Sequence, residues 1–264
     1  MRVAVITGAS GGIGKTLVFR LAQMGMNLVL VGRSEEKLLA VQARAEQILA
    51  GAPEAPALAA EGTLSGGTDL SADKGTPRTV ICCGNLTRTE FAGEIMETAR
   101  REFGGLDVLI NCAGMAQHDA FEEVTTEQFD RIMAINVRAP FFLCQKALGL
   151  LRASECATII NICSVVAHKG YPQQSVYAAS KHALLGLSKS LANEVFRENI
   201  RVHVISPGAV FTDMIALARP DLTPEGMTLP EDIADIVAFL LTHRRANAVI
   251  DEIQVHRGNK EPFL

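Results

Sequence analysis

An α/β protein is predicted, with a doubly wound parallel sheet of about seven strands, helices on both faces, and a single domain spanning residues 1–264. Three observations lead there. Short apolar runs alternate along the chain with longer segments of helical spacing, and strands that alternate with helices pair in parallel through helical crossovers. The first run passes directly into a glycine turn and a helix start, VAVITGASGGIG at 3–14. A chain of 264 residues that is 48% hydrophobic buries one full core without needing a second domain.

The elements follow in order. VAVIT predicts a strand near 2–6, and the segment after its glycines a helix near 12–25. NLVLVG predicts a strand at 27–32, followed by a helix near 34–49. Residues 50–78, AGAPEAPALAAEGTLSGGTDLSADKGTPR, are rich in alanine, glycine and proline and exceed an ordinary connection, so they read as a loop insertion on the surface. Beyond it come strands near 79–83, 107–111, 157–163, 200–205 and 249–255, with helices near 90–103, 126–152, 177–197 and 231–242. In such a sheet the ligand crevice lies beyond the carboxyl ends of the strands, where Asn111 and Ser164 fall.

The glycine turn carries the first chemical signal. Gly8, Gly12 and Gly14 let the backbone approach a pyrophosphate, whose charge is met by the free N–H groups and positive dipole of a helix N-terminus. A dinucleotide is the natural ligand. The spacing is wider than G-x-G-x-x-G, and ASGGIGKT at 9–16 also fits a relaxed P-loop, with Lys15 and Thr16 in the lysine and hydroxyl places. Against a P-loop nucleotidase stand Ala9, where the strict pattern wants glycine, and Asn111, which ends LDVLIN where a magnesium-holding aspartate belongs.

The second signal is Tyr177 and Lys181, four apart in a segment of helical spacing and so on one helix face. A phenol, with an ordinary pKa of about 10, is a poor proton donor or acceptor at neutral pH. An ammonium one helical turn away favours its ionised form. Taken alone, the pair is also what two ordinary helix residues look like.

Together these motifs resemble the short-chain dehydrogenase/reductase family over nearly the whole chain. The matching elements are TGASGGIG at 7–14, NCAG at 111–114, Asn136 in INVRAPF, Ser164 closing TIINICS, Tyr177-x-x-x-Lys181, and Pro207-Gly208 with Thr212 beyond. The resemblance implies a Rossmann-type sheet and a catalytic set of Asn136, Ser164, Tyr177 and Lys181. Tyr177 would act as general acid or base and Ser164 would bond the substrate oxygen. Lys181 would hold the nicotinamide ribose, Asn136 would seat a water of the proton relay, and Thr212 would hold the carboxamide. A carbonyl taking up hydride on carbon needs a proton donor and a second hydrogen bond at its oxygen, and Tyr177 and Ser164 supply both. The cofactor-binding positions implied are Gly8, Ser10, Gly11, Gly12, Ile13, Gly14, Arg33, Ser34, Asn85, Leu86, Asn111, Ala113, Gly114, Tyr177, Lys181, Pro207, Gly208, Val210 and Thr212. His168 joins Ser164 and Tyr177 as a substrate contact, and Gln117, His118 and Phe211 lie in segments that line the substrate side in relatives. The substrate expected is a small ketone or a 3-hydroxy acid.

NADP(H) is favoured over NAD(H). Gly32 ends the second strand where an NAD enzyme has an acidic residue, and Arg33 follows it. Without the carboxylate there is no repulsion, and a guanidinium can pair with a 2′-phosphate. Several features depart from the family pattern. The insertion at 50–78 falls on the adenosine side, and Asn85 stands where relatives often carry aspartate. The segment 213–229 is short for a substrate lid. A C-terminal segment without the glycine-rich ending of acyl-carrier reductases weighs against a fatty-acid-synthesis role.

Composition excludes other classes. A net charge of −4 with scattered basic residues argues against nucleic acid as a partner, and no apolar run approaches a membrane span. The expectation is a soluble cytoplasmic protein, with a removed leader left open. The six cysteines form no C-x-x-C pair and the six histidines no metal spacing, so reduced thiols and no metal are expected. The resemblance also implies a homodimer or homotetramer built on the helices near 126–152 and 177–197. A cofactor-binding sensor or scaffold without turnover is the alternative from another class, and the intact catalytic set favours an enzyme.

Overall fold

The computed structural model describes residues 1–51, 76–213, 215, 225–244 and 247–259. Most of the predicted insertion, 52–75, lies outside the described residues, as do 216–224 of the short segment after Asp213.

Seven parallel strands form one sheet in the order β3-β2-β1-β4-β5-β6-β7. They are β1 Val3–Thr7, β2 Asn27–Gly32, β3 Thr79–Cys83, β4 Val108–Asn111, β5 Thr158–Ile162, β6 Arg201–Pro207 and β7 Glu252–Val255. The helices among the described residues are α1 Gly12–Gln23, α2 Glu35–Gly51, α3 Thr89–Phe103, α4 Thr126–Met133, α5 Ala139–Leu151, α6 Ser175–Val195 and α7 Pro230–Thr242. Strand side chains alternate between the two faces. Ala4, Ile6, Leu28 and Leu30 join Leu17, Leu21 and Leu38 of α1 and α2 and Ile233 and Val237 of α7. Val3, Val5, Val29 and Val31 join Ile95 and Met96 of α3 and Leu143 and Ala147 of α5 on the other side. Because both faces are covered, these strands read as continuous apolar runs.

The strand order reverses between β1 and β4: β1 pairs with β2 on one side and β4 on the other, so that Val5 lies opposite Val29 and Leu109. Thr7 closes this switch point. Its hydroxyl accepts from the N–H groups of Cys112 and Ala113 at 3.0 and 3.1 Å, so the chain leaving β4 is bonded to the end of β1.

Two predicted elements differ from what forms. The helix expected over 126–152 is three pieces, α4, a π-turn at Ala134–Arg138, and α5. Pro140 supplies the reason: it has no N–H for the carbonyl four residues back, that of Asn136. The strand expected at 249–255 begins only at Glu252. Val249 and Ile250 are exposed and stand outside the ladder, which pairs Val204–Pro207 of β6 with Glu252–Val255. Helix α4 starts at a reciprocal cap: Gln128 N–H donates to Thr125 Oγ1 at 3.2 Å while Thr125 N–H donates to Gln128 Oε1 at 2.9 Å.

Candidate active site

The glycine turn is close-packed on itself. A Cβ on Gly14 would lie 2.1 Å from the Gly8 carbonyl oxygen, and Gly8, at φ 70°, lies against the backbone of Ala113. Gly12, at φ 36°, leaves no room for a Cβ beside the Thr212 methyl, which would be 2.8 Å away. Three chain segments, 8–14, 112–114 and 212, therefore meet at the end of β1. Gly11 is the N-cap of α1 and makes no side-chain cap. Because Lys15 N–H makes the bond to the Gly11 carbonyl, the N–H groups of Gly12, Ile13 and Gly14 have no partner inside the helix. This end of α1 suits an anion, and the glycine cradle fits the pyrophosphate of a dinucleotide. Lys15 is exposed on the solvent side of α1 and Thr16 Oγ1 donates to the Gly12 carbonyl at 3.4 Å, an arrangement unlike a P-loop.

At the far end of β2, Gly32 is crowded: a Cβ there would meet Leu38 at 3.1 Å and Ser10 Oγ at 3.2 Å. Arg33 is exposed, with no ion pair among the described residues. Ser34 Oγ accepts from Lys37 N–H at 3.4 Å and caps α2. Asn85 Oδ1 accepts from Thr87 N–H at 3.0 Å, which leaves its amide hydrogens outward, and Leu86 packs against the second core cluster. Gly84 has a strict reason to be glycine, since a Cβ would fall 2.4 Å from the Phe91 ring.

Lys181 is 4% exposed. Its ammonium donates to the Ile162 carbonyl at 2.9 Å and lies 5.9 Å from the centre of the Tyr177 ring. The carbonyl of Lys181 in turn accepts from the Cys163 thiol at 3.3 Å. So α6 is fastened to the end of β5 immediately before Ser164, which is 7% exposed. Ser164 Oγ accepts from Val166 N–H at 3.3 Å, starting a 3₁₀ turn over Val165–Ala167. A Cβ on Gly114 would lie 3.5 Å from Asn136 Oδ1 and 3.8 Å from Lys181 Nζ, which brings the NCAG segment, the π-turn and α6 to one place. Beyond Pro207, Gly208 N–H donates to the Val255 carbonyl at 2.7 Å, and Val210 is buried.

Asn136 is fully buried and its amide is spent within the protein. Oδ1 accepts from Met115 N–H at 2.8 Å, and Nδ2 donates to the Met115 carbonyl at 2.8 Å and to Ser180 Oγ at 3.0 Å. What Asn136 has left to offer is its backbone carbonyl, which Pro140 deprives of a helical partner.

Four residues expected at the site have side chains with the following surroundings. Asn111 points its side chain into the interior, where Nδ2 donates to Asn161 Oδ1 at 2.8 Å and Asn161 passes the chain to Ser188. His168 Nε2 pairs with Glu252 Oε1 at 2.5 Å, and Ser206 Oγ donates to the same carboxylate oxygen at 2.9 Å, so the ring is held toward β7. Gln117 is buried against the start of α6, where its Oε1 accepts from Val176 N–H. His118 is exposed. Three residues join the site through contacts that sequence alone does not show: Thr7, Ser180 and Pro140. Each carries a faint local signal: a threonine just before the glycine turn, a serine three after Tyr177, and a proline four after Asn136.

The six thiols are free. Burial pushes Cys144 up to about 12, and also Cys112, in NCAG, although the Lys181 charge pulls the latter down. Neither is a nucleophile at neutral pH.

The chain is similar to known proteins over nearly its whole length. A family model described as short chain dehydrogenase matches residues 2–65 and 60–223. The 3-oxoacyl-[acyl-carrier-protein] reductase of Rickettsia bellii is 32% identical over 267 aligned positions, covering 97% of this chain and 96% of that protein. Levodione reductase of Leifsonia aquatica is 32% identical, covering 91% of this chain and 87% of that protein. Among solved structures, a metagenomic short-chain oxidoreductase in complex with NADP superposes with a TM-score of 0.75 at 27% identity, covering 97% of each chain.

Proposed function

This chain belongs to the short-chain dehydrogenase family and is an oxidoreductase that binds a nicotinamide cofactor, and from that premise we propose that it interconverts a small ketone, or the keto form of a 3-hydroxy acid, and the corresponding secondary alcohol with NADP(H). The observation that carries the reading is the placement of Lys181: a buried ammonium with one backbone hydrogen bond, on the same helix face as the Tyr177 phenol. A buried ammonium needs more than one acceptor, and the ribose hydroxyls of a dinucleotide are suited to supply them.

When bound, the nicotinamide supplies or accepts the hydride. The chain's own residues handle the oxygen. Tyr177 donates its phenolic proton to the carbonyl oxygen as the carbon becomes reduced, and takes it back in the oxidising direction. Ser164 polarises the same oxygen, and Lys181 stabilises the phenolate. Asn136 offers its backbone carbonyl to a water that returns the proton from solvent. The glycine cradle with Ser10 and the end of α1 hold the pyrophosphate, Asn85 and Leu86 flank the adenine, and Thr212 with Val210 covers the nicotinamide side. The exposed Arg33 and the crowded, acid-free Gly32 support a 2′-phosphate. The keeping of Asn136, Ser164, Tyr177 and Lys181 together favours turnover over a silent sensor.

The test is absorbance of reduced nicotinamide over a panel of small ketones and 3-hydroxy acids, with NADPH and NADH run in parallel. Turnover favouring NADPH is expected. Tyr177→Phe should lower kcat by about 10²–10⁴-fold, the usual worth of a general acid, while binding of NADPH persists; with no tryptophan in the chain, that binding is read from nicotinamide emission over a dark background. Unchanged turnover in Tyr177→Phe would remove the proposed proton donor.

A further inference from the structure

Helix α6 begins without a cap of its own. Gln174, at the N-cap position, makes no side-chain capping bond, and the first bond inside the helix runs from Ala178 N–H to the Gln174 carbonyl at 2.8 Å. Helix geometry therefore orphans the N–H groups of Ser175, Val176 and Tyr177. One atom distant in sequence takes two of them. Gln117 Oε1 accepts from Val176 N–H at 2.9 Å and from Tyr177 N–H at 3.3 Å. With the oxygen fixed by two donors, Gln117 Nε2 must face the other way, where it is buried without a partner. Native interiors rarely carry such a donor, and here it is the far side of an acceptor that the helix end requires.

The loop bearing Gln117 is itself held on both sides. Upstream, Met115 exchanges two hydrogen bonds with the Asn136 amide. Downstream, Asp119 N–H donates to the Gln173 carbonyl at 3.1 Å. Gln173 sits at φ 63°, a left-handed conformation that a non-glycine residue keeps only where its surroundings impose it. Beyond the first turn, the Tyr177 carbonyl accepts from Ser180 Oγ at 2.7 Å, and that hydroxyl accepts from Asn136 Nδ2. Both backbone polar groups of Tyr177 are thus tied to amide side chains outside α6: its N–H to Gln117 directly, its carbonyl to Asn136 through Ser180.

We propose that Gln117 is a positioning residue, which caps α6 from the β4–α4 loop and so fixes where the Tyr177 phenol stands for proton transfer. The proposal rests on the reading of Tyr177 as the proton donor. Its physical basis is the steep dependence of proton transfer on geometry: a displacement of about 1 Å costs on the order of 10²-fold in rate.

The experiment uses the full chain with Gln117→Leu, which keeps the bulk and removes the acceptor, and Gln117→Glu, which keeps an acceptor. With the ketone of the panel that the unsubstituted enzyme reduces fastest, Gln117→Leu should lower kcat about ten- to hundredfold, with KM and NADPH affinity within about twofold. Gln117→Glu should recover most of that loss. Hydrogen exchange needs no substrate and should show faster exchange at Val176 and Tyr177 in Gln117→Leu, restored in Gln117→Glu. Leucine removes the unpaired buried donor but leaves the Val176 and Tyr177 N–H groups without their acceptor, so Tm should fall by a few degrees, as for a lost helix cap, and joint recovery of kcat and exchange in Gln117→Glu separates positioning from folding. A kcat unchanged in Gln117→Leu, or unchanged exchange at Val176 and Tyr177, would overturn the positioning role and leave the proton-donor reading intact. Full activity in Tyr177→Phe would overturn both.

Discussion

At the scale of single residues, the glycine turn separates two kinds of glycine that look alike in the sequence. Gly14 has its Cβ position filled by the Gly8 carbonyl, whereas nothing lies within 4 Å of a Cβ on Gly11, whose φ of −137° any residue can adopt. Gly14→Ala should therefore cost about 3 kcal/mol, the upper part of the overpacking range, and lower Tm by roughly 6–12 °C for a chain of this size. Gly11→Ala should hold the parent Tm. Thermal unfolding of the two variants side by side checks the assignment, and equal losses would show that the turn relaxes. The spacing of Gly8, Gly12 and Gly14 was legible in the sequence because it is local. The Thr212 methyl over Gly12 and Gln117 under α6 were not, since each is a contact across the fold that no local period records. His168 is similar: its segment gives no sign of the bond that Glu252, 84 residues away, makes to the ring.

At the scale of elements, the junction of α4 and α5 carries the most information. The apolar pattern over 126–152 continues through it, so periodicity reads one helix, while the residue that changes the backbone is a single proline. Pro140 at the start of α5 leaves the Asn136 carbonyl without its i+4 donor, and a π-turn forms where the two helices join. Pro140→Ala returns an N–H to that carbonyl. The expected outcome is a kcat lowered by about tenfold with NADPH affinity unchanged, since the change reaches the Asn136 carbonyl and not the glycine cradle; a general-acid relay is worth on the order of 10²–10⁴ in all. Steady-state kinetics with a parallel NADPH titration decides it, and an unaltered kcat would show that the Asn136 carbonyl has no part in the relay. Apart from the late start of β7, the other elements stood within a few residues of where their patterns placed them, because strands buried on both faces leave unbroken apolar runs and the intervening helices keep a 3.6 period.

At the scale of the whole molecule, the candidate site gathers at the carboxyl ends of the strands, and the opposite end of the sheet holds a buried histidine. His203 lies in the first half of β6, 2% exposed, with Nδ1–H donating to the Ile250 carbonyl at 2.6 Å and Nε2 without a partner. Burial holds its pKa below the ordinary 6.5, and the charges of Arg201 and Arg244 push the same way, against the Ile250 hydrogen bond and Asp251. The folded state thus binds the proton less readily than the unfolded chain. The stability this neutral ring contributes is complete above about pH 6.5 and is lost as pH falls from there toward the depressed folded value. The fall in Tm between about pH 7 and pH 5 should be shallower in His203→Gln than in the parent, and parallel curves would show that other groups set the acid limit. The strand order has a further consequence, during synthesis. Strand β1 lies between β2 and β4, and while its first neighbour ends at Gly32, its second begins only at Val108. A ribosome making about 5–20 residues per second leaves one side of a strand that is fully buried in the folded protein open for roughly 4–15 seconds. Until Val108–Asn111 emerges, the nascent chain carries an unsatisfied edge of the kind that recruits other chains, so heterologous yield should depend on elongation speed and chaperone supply through this interval more than on the final stability of the enzyme.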